Sequence, residues 1–272
     1  MKKKSNLVRS IVVLSVLAFF LNAGYLFAGE YTMGIVPQQP PKKIAAKWTP
    51  ILKYLSAKTG EKIILKTAPS IPEFEKRLAA GDYDIVYTNP LQYVKYHDAL
   101  GYTAFSRHKD KRLKGIVVVK KDSPIQDIKE LDGAKMAFPS ANAFAASIVP
   151  RANFKSKGIT VTPKYVKSHD SVYQTVAKGL YVAGVGVGRT FKSMDKKVTD
   201  NLRILWTTEG YTPHAFAAHP RVPSSVVDKI TDALMAMNDD PQAEPLMKAI
   251  KFKAFQRVKN ADWDDVRALK ID

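Results

Sequence analysis

The sequence predicts an α/β protein made of two units in which strands and helices alternate. Of its 272 residues, 46% are hydrophobic and 25% are charged, which is typical of a globular protein. Short apolar stretches bounded by Pro and Gly alternate with stretches whose apolar residues recur at helical spacing. The alternation occurs twice along the chain, so we expect two parallel sheets with helices on both faces.

The first 28 residues are predicted to be an export signal. Basic residues at positions 2, 3, 4 and 9 precede an apolar run over 11–21, and a small-residue cleavage site ends at Ala28. The apolar run is shorter than the ~20 residues of a membrane-spanning helix. An alternative is that the segment is retained as an N-terminal anchor. In both cases we expect the rest of the chain, from Gly29 onward, to lie in the periplasm.

The first α/β unit follows this segment. Pro37 ends its first strand, and Gly60 and Gly81 end its two helices. In chain order we predict strand 31–36, helix 44–59, strand 62–66, helix 71–80 and strand 84–87.

The second unit repeats the pattern and begins with a β-branched run. We predict strands at 115–119, 134–138, 161–166, 181–187 and 202–207, with helices at 125–131, at 168–178 and, rich in small residues, after Asn142. Apolar stripes predict two further helices, at 226–237 and 261–269.

Composition and motifs exclude several classes of function. The absence of Cys excludes disulfides, thiolate nucleophiles and cysteine zinc sites. The chain lacks the G-x-S-x-G, phosphate-loop and H-E-x-x-H motifs, and Arg189 stands where a dinucleotide fingerprint after Gly184 and Gly186 needs Gly. We therefore expect no catalytic residue, metal or cofactor.

The net charge of +18 raises nucleic acid as a partner. However, the Lys-rich stretches at 107–114 and 192–197 are interrupted by apolar or acidic residues, and we interpret them as solvated surface. We expect a monomer that does not bind nucleic acid.

The chain resembles a known family at several local motifs. These motifs are Met33 to Pro37 with Trp48 to Leu52, Gly81 to Tyr87, Lys121 to Ile125 with Leu131 to Gly133, Phe138-Pro139 with Val149-Pro150, and Ser168 to Val172. They are similar, in the same order, to the phosphate/phosphite/phosphonate-binding periplasmic proteins of ABC importers. The resemblance covers residues 30–272.

The resemblance implies a type II periplasmic binding protein, in which two doubly wound α/β lobes are joined by a two-strand hinge. Lobe one would contain 29–113 and 207–272, and lobe two 114–206. Such proteins close over a small-molecule ligand and present it to an ABC permease in the inner membrane. We therefore predict the solute-binding component of an ABC importer. The alternative is a sensory protein of the same fold that signals to a membrane receptor or kinase.

The resemblance also indicates where this chain departs from the family. The phosphonate binders hold the anion with a Ser-Thr-Ser triplet at a helix N-terminus, and the aligned residues here are Ala143 to Ala145. Acidic residues beside an aminophosphonate are replaced around Gly188-Arg189 and Pro213 to Ala215, whereas His169 is retained. We therefore expect a small anionic ligand, either a phosphate- or phosphonate-type oxyanion or an organic acid, and weak binding of phosphonates.

Five candidate ligand contacts follow strands of the two units. Tyr87, Thr88 and Asn89 come at the carboxyl end of a strand, where open α/β sheets bind ligands. The alternative for Asn89 is a helix-capping role. Ser140 and Asn142 follow a strand of the second unit, and each either donates to the ligand or caps the next helix.

Four more candidates come from later in the chain. His169 begins a helix and is expected to hold an anion more tightly as its ring protonates. Tyr173, one helical turn later, is either an aromatic wall of the cleft or a core residue. Arg189 is either a bidentate oxyanion contact or a solvated side chain. His214 is expected to enter the cleft from the hinge side.

Overall fold

The computed structural model of the protein describes residues 29–269. The predicted export signal at 1–28 lies outside the described residues and stays a prediction. Within residues 29–269, no helix is long and apolar enough to cross a membrane.

The strands of the described range form two sheets. In chain order they are β1 Glu30–Ile35, β2 Lys62–Thr67, β3 Ile85–Thr88, β4 Thr103–His108, β5 Gly115–Lys120, β6 Lys135–Phe138, β7 Thr162–Tyr165, β8 Ala183–Val187, β9 Leu202–Thr207, β10 Ala215–Ala218 and β11 Phe255–Arg257. The first sheet has the order β11-β4-β10-β3-β1-β2, and the second has the order β7-β6-β8-β5-β9. We call the first sheet with its helices lobe one and the second lobe two. The exact lobe boundaries stay a prediction.

Helices cover both sheets. They are α1 Pro41–Thr59, α2 Ile71–Ala79, α3 Pro90–Leu100, α4 Val149–Ser156, α5 His169–Ala177, α6 Gly188–Phe191, α7 Lys196–Thr199, α8 Ser224–Ala236, α9 Glu244–Ala249 and α10 Asp264–Arg267. Short 3-10 turns lie at Ile128–Leu131 and Asn260–Trp263, and a π-helix, Phe144–Ile148, runs directly into α4. The longest helix, α1, begins with Pro41 and ends at Gly60, whose φ of 74° suits glycine.

The sheets are mixed rather than wholly parallel, which corrects the prediction. In lobe one, β10 runs antiparallel to both β3 and β4. In lobe two, β5 runs antiparallel to both β8 and β9. The chain reaches β5 from lobe one and β10 from lobe two. The alternation of strands and helices within one lobe therefore does not determine the direction of these two strands.

Several elements were not predicted from the sequence: α3, α6, α7, α9, β4, β10 and β11. The strand β4 ends in Arg107 and His108, within the stretch that was interpreted as solvated surface. That interpretation is wrong for His108, which is buried and stacks on Phe252 with 4.3 Å between ring centroids. Polar residues at the end of a buried strand obscured its apolar pattern.

Two chain segments, 109–114 and 208–214, connect the lobes. Leu113 and Tyr211 form an antiparallel bridge between them. The Thr208 amide donates to the Gly115 carbonyl, and the Gly115 amide donates to Thr208 Oγ1, both at 2.9 Å. A Cβ atom at Gly115 would lie 2.0 Å from the carbonyl oxygen of Ala145. Glycine there allows the π-helix to lie directly against this connection, which places the start of the π-helix in the cleft between the lobes.

Candidate ligand-binding cleft

The two lobes contact each other across a closed cleft. The carboxylate of Asp170 accepts hydrogen bonds from Lys43 Nζ at 2.5 Å and from Gln39 Nε2 at 3.2 Å. The amide of His169 donates to the carbonyl of Gln38 at 3.2 Å. Because Gln38, Gln39 and Lys43 belong to lobe one and the other two residues to lobe two, these bonds hold the lobes together.

A second set of contacts lies near Asn142, which is exposed. Its side-chain Nδ2 donates to Glu75 Oε2 at 2.6 Å, and its carbonyl accepts from Asn89 Nδ2 at 3.4 Å.

The helix that follows Asn142 has Ala143 at its N-cap, with no side-chain hydrogen bond. The capping alternative is therefore wrong for both Ser140 and Asn142. The hydroxyl of Ser140 is buried and has no hydrogen-bond partner within residues 29–269.

A small cavity lies inside the cleft against the start of the π-helix. It leaves about 10 Å³ for the centre of a water molecule, which is room for about one water. None of its lining residues is Lys, Arg, Asp or Glu. The wall combines both lobes and is formed by Val36, Gln38, Ile71, Asn89, Leu113, Ala143, Phe144, Ala145, Ala146, His169, Val187 and His214.

The π-helix begins at the wall of this cavity. The first amides of a helix have no acceptor within the helix and lie at the positive end of its dipole. Ala143, Phe144 and Ala145 stand at this position, where the alignment predicted them. This helix start therefore offers no side-chain hydroxyl at positions 143–145.

Two buried histidines also line the small cavity. The His214 ring stacks on Tyr87 with 5.1 Å between centroids, and its Nε2 is buried without a hydrogen-bond partner in the described part of the chain. The Nδ1 of His169 lies 3.4 Å from Thr190 Oγ1. Burial, followed by the nearby charge of Arg189, lowers the pKa of His169 to about 3 and that of His214 well below its usual value. Both rings are therefore neutral at pH 7. Tighter binding of an anion as His169 protonates concerns the ligand-bound protein and stays a prediction.

Arg189 reaches from lobe two into the cleft. It stands at the start of α6, directly after β8, so its backbone is fixed at the carboxyl end of a strand. Its Nη1 donates to the Tyr87 hydroxyl at 2.9 Å, and its Nη2 donates to Gln38 Oε1. The guanidinium also lies 5.6 Å from the centre of the Tyr87 ring. Within residues 29–269 it forms no salt bridge, so its positive charge is not neutralised by a carboxylate.

Tyr87 and Asn89, at the carboxyl end of β3, face the cleft, whereas Thr88 does not. Tyr87 is buried and packs on Trp48 with 5.0 Å between ring centroids. Burial raises the pKa of Tyr87, so its hydroxyl stays protonated and accepts from the cleft arginine. Asn89 lines the small cavity and also caps α3, since its Oδ1 accepts from the Gln92 amide. Thr88 instead donates to Gln92 Oε1 at 2.7 Å, within lobe one.

Tyr173 lies in the core of lobe two, which corrects its prediction as an aromatic wall. It is fully buried, and its hydroxyl donates to the Val187 carbonyl at 2.9 Å and accepts from the Val187 amide at 3.0 Å. A Cβ atom at Gly186 would lie 2.0 Å from this hydroxyl. The face of α5 that carries Tyr173 therefore packs on β8 rather than on the cleft.

Sequence reasoning missed five residues that join the lobes: Gln38, Gln39, Lys43, Glu75 and Asp170. Gln38 and Gln39 follow β1, so the strand-end rule that selected Tyr87 applied to them equally. Asp170 stands next to His169 in a motif that was already singled out. In the described part of the chain, no cluster of three or more His, Asp or Glu could hold a metal ion.

Most of the chain is similar in sequence to known proteins. A sequence model described as "ABC transporter, phosphonate, periplasmic substrate-binding protein" matches residues 33–263. The phosphate-import protein PhnD of Mycolicibacterium smegmatis is 20% identical, over 75% of this chain and 70% of the relative.

Solved structures share the fold at lower sequence identity. The binding-protein component of an ABC phosphonate transporter from Pseudomonas aeruginosa has a TM-score of 0.81 at 13% identity, covering 89% of this chain and 85% of that chain. PhnD1 from Prochlorococcus marinus, in complex with methylphosphonate, has a TM-score of 0.80 at 16% identity, covering 88% and 96%. An ancestral arginine-binding protein bound to arginine has a TM-score of 0.58 at 17% identity, covering 82% and 98%.

These matches confirm the predicted fold, two α/β lobes of the type II periplasmic binding protein class. The family consists of binding proteins rather than enzymes. The chain belongs to the phosphonate-binding family of periplasmic substrate-binding proteins of ABC transporters.

Proposed function

We propose that this protein captures a small phosphate- or phosphonate-type oxyanion, or an organic acid of similar size, and presents it to the permease of an ABC importer. The observation that carries the proposal is the start of a helix that faces a cavity lined by both lobes. In this closed form the cavity has room for about one water, so an oxyanion would enter with the lobes further apart. The Mycolicibacterium relative is named as a phosphate-import protein, and the Prochlorococcus structure contains methylphosphonate.

The chemistry of the cavity wall favours an anion of modest charge. Helix amides, the Asn89 side chain and the two neutral histidines offer hydrogen-bond donors, and no carboxylate lines the wall to repel an anion. Each hydrogen bond to a charged group contributes roughly 1.5–3 kcal/mol, so the three absent hydroxyls weaken phosphonate binding relative to a site that has them.

Capture works through lobe closure in this proposal. Lobe one, at 29–113 and 207–272, moves against lobe two, at 114–206, about the connections at 109–114 and 208–214. The same proposal places the protein in the periplasm, exported by the segment at 1–28. The intact mass of protein recovered from the periplasm would show whether cleavage occurs after Ala28, since a mass that includes Met1 contradicts cleavage.

A thermal-shift screen on protein purified from the periplasm tests the ligand class. The panel contains phosphate, methylphosphonate, aminoethylphosphonate, sulfate and small carboxylates. A ligand present at 100 times its Kd adds about 2.7 kcal/mol to the free energy of unfolding, which raises the Tm measurably. Isothermal titration then gives Kd for each compound that raises the Tm.

A cavity-filling variant provides the matched comparison. Ala143→Val adds two methyl groups to a cavity with room for about one water, so we expect the ligand-induced Tm shift to disappear. Ala152→Val makes the same change at an exposed position of α4 and should keep the shift. The proposal fails if no compound raises the Tm, or if the shift survives in the Ala143→Val protein.

A further inference from the structure

A second, much larger cavity lies beside the connections between the lobes. Its volume is about 820 Å³, within the range of roughly 300–1,000 Å³ typical of ligand pockets. It shares Gln38, Tyr87, Arg189 and His214 with the cleft, and the connection residue Leu113 also lines it. We call it the basic cavity, because most of its charged lining residues are Lys or Arg.

Cations from both lobes line the basic cavity. Lobe one and its connection contribute Lys109, Lys111, Arg112, Lys251 and Lys253. Lobe two contributes Lys114, Arg189 and Lys192. Asp110 is the one acidic residue of the lining. Among these cations only Arg112 forms a salt bridge within residues 29–269, with Asp265 at 2.6 Å.

Two observations concern the positively charged residues of this cavity. Burial and then the charges of Lys192 and Arg189 lower the pKa of Lys111, and burial with Arg189 and Lys111 lowers the pKa of His108 to about 4. In addition, Lys251 adopts a left-handed backbone conformation with φ of 58°, at the position after a helix where glycine is usual. The chain thus places a lysine at the cavity despite an unfavourable backbone.

We propose that the basic cavity binds an anion carrying two or more phosphate groups, which is larger than the ligand of the small cavity. One phosphate group cannot neutralise cations spread over both lobes, whereas a chain of phosphates or a bisphosphate reaches several of them. Because like charges approach as the lobes close, such an anion would bridge them and stabilise closure. This inference extends the proposed capture of oxyanions in the cleft, on which it rests.

Isothermal titration of the periplasmic protein tests the inference. The probes are inorganic tripolyphosphate, pyrophosphate and fructose 1,6-bisphosphate, compared with orthophosphate and methylphosphonate. The first two probes represent inorganic phosphate chains, and the third represents phosphorylated organic compounds. We expect tripolyphosphate to bind at least about 10-fold more tightly than orthophosphate, because it makes several charge-assisted contacts.

The test variant is Lys111→Gln/Lys253→Gln, in the basic cavity. Its matched control is Lys155→Gln/Lys164→Gln, on lobe two and outside the cavity lining. All four lysines are exposed, and each double variant removes two positive charges. We expect the cavity variant to weaken tripolyphosphate binding by about 10-fold and the second variant by less than about 2-fold, since distant surface charges are screened. A salt series on the unmodified protein adds a measurement that needs no variant, and the Kd for tripolyphosphate should rise more steeply with salt than that for orthophosphate.

The outcomes separate this inference from the proposed function. It is overturned if tripolyphosphate and the bisphosphate bind no more tightly than orthophosphate, or if the two double variants weaken binding equally. The proposed function fails separately if orthophosphate, methylphosphonate and small carboxylates all fail to bind while tripolyphosphate binds in a manner that depends on Lys111 and Lys253.

Discussion

Arg189 lies outside the lining of the small cavity, but it bonds to Gln38, which lines that cavity. An anion that reaches the guanidinium makes a charge-assisted contact, so Arg189 is the residue whose replacement we expect to affect binding most. Arg189→Ala removes a positive charge with no carboxylate partner in the described chain, together with hydrogen bonds to Tyr87 and Gln38 across the cleft. A charge-assisted contact of roughly 1.5–3 kcal/mol corresponds to a loss of about 10-fold to 150-fold in affinity. Isothermal titration with the tightest ligand of the screen measures this loss.

Arg257→Ala is the control for that measurement. Arg257 is exposed and pairs with Asp232 within lobe one, away from the cleft. Its replacement removes the same charge and should leave Kd nearly unchanged. Equal affinities for the Arg189→Ala protein and the unmodified protein would place the anion elsewhere.

The buried histidines predict that the folded protein becomes less stable in acid. His169 has a pKa of about 3 in the folded protein, because of burial, against ~6.5 in an unfolded chain. Between these values the unfolded state binds more protons, so stability is lost as pH falls below about 6.5. From pH 7 to pH 5, His169 alone should lower the free energy of unfolding by about 2 kcal/mol. His214 and His108 act in the same direction.

Urea unfolding of the unmodified protein and of His169→Gln at both pH values measures this effect. Glutamine does not titrate, so the variant should lose about 2 kcal/mol less than the unmodified protein between pH 7 and pH 5. Comparing the change with pH, rather than the stability at one pH, removes the cost of the substitution itself. Identical changes in the two proteins would show that His169 is protonated, or solvent-accessible, in the folded state.

At the scale of elements, the start of the π-helix determines how an oxyanion is held. Ala145→Ser returns a hydroxyl to the wall of the small cavity, where it can donate to a bound anion. We expect affinity for phosphate and methylphosphonate to increase by about 10-fold or more, since one hydrogen bond to a charged group contributes roughly 1.5–3 kcal/mol. The ligand-free protein should lose about 1–3 kcal/mol of stability if the buried hydroxyl lacks a partner.

Ala152→Ser, at an exposed site of α4, is the matched control for both measurements. It should change neither ligand affinity nor the stability of the ligand-free protein by more than about 0.5 kcal/mol. If Ala145→Ser also leaves the affinity unchanged, the anion does not lie at this helix start.

Local sequence signals predicted most elements because their causes are local. Gly60 ends α1 through its own backbone, and Ser70 caps α2 by accepting from the Glu73 amide. By contrast, β10 is a strand of four small or aromatic residues whose place between β3 and β4 depends on the chain returning from lobe two. No local sequence pattern indicates that the chain comes back to lobe one at this point. Neither β10 nor the mixed sheets could therefore be predicted from periodicity.

At the scale of the whole molecule, the site forms only where the two lobes meet. Of the predicted ligand contacts, Asn89, His169, Arg189 and His214 line cavities of the cleft, and their contact with a ligand stays a prediction. The direction in which each side chain points depends on packing, which is why Tyr173 was assigned to the wrong side of its helix. The contacts of Asp170 with the other lobe depend on closure, which the sequence of one lobe does not encode.

Asp170 is therefore the residue through which closure itself can be tested. Asp170→Asn keeps the shape of the side chain but removes the charge that pairs with Lys43 across the cleft. A partly exposed ion pair contributes up to about 1 kcal/mol, so the closed fraction and the apparent affinity should fall by about 5-fold at most. Small-angle X-ray scattering should show a larger radius of gyration for the ligand-free variant, which saturating ligand then reduces.

Glu244→Gln is the control, because it breaks a salt bridge with Lys248 inside α9 and should change neither the radius of gyration nor the affinity. A radius and a Kd unchanged in Asp170→Asn would mean that the pair forms without stabilising the closed state, leaving Arg189 and the ligand to hold the lobes together.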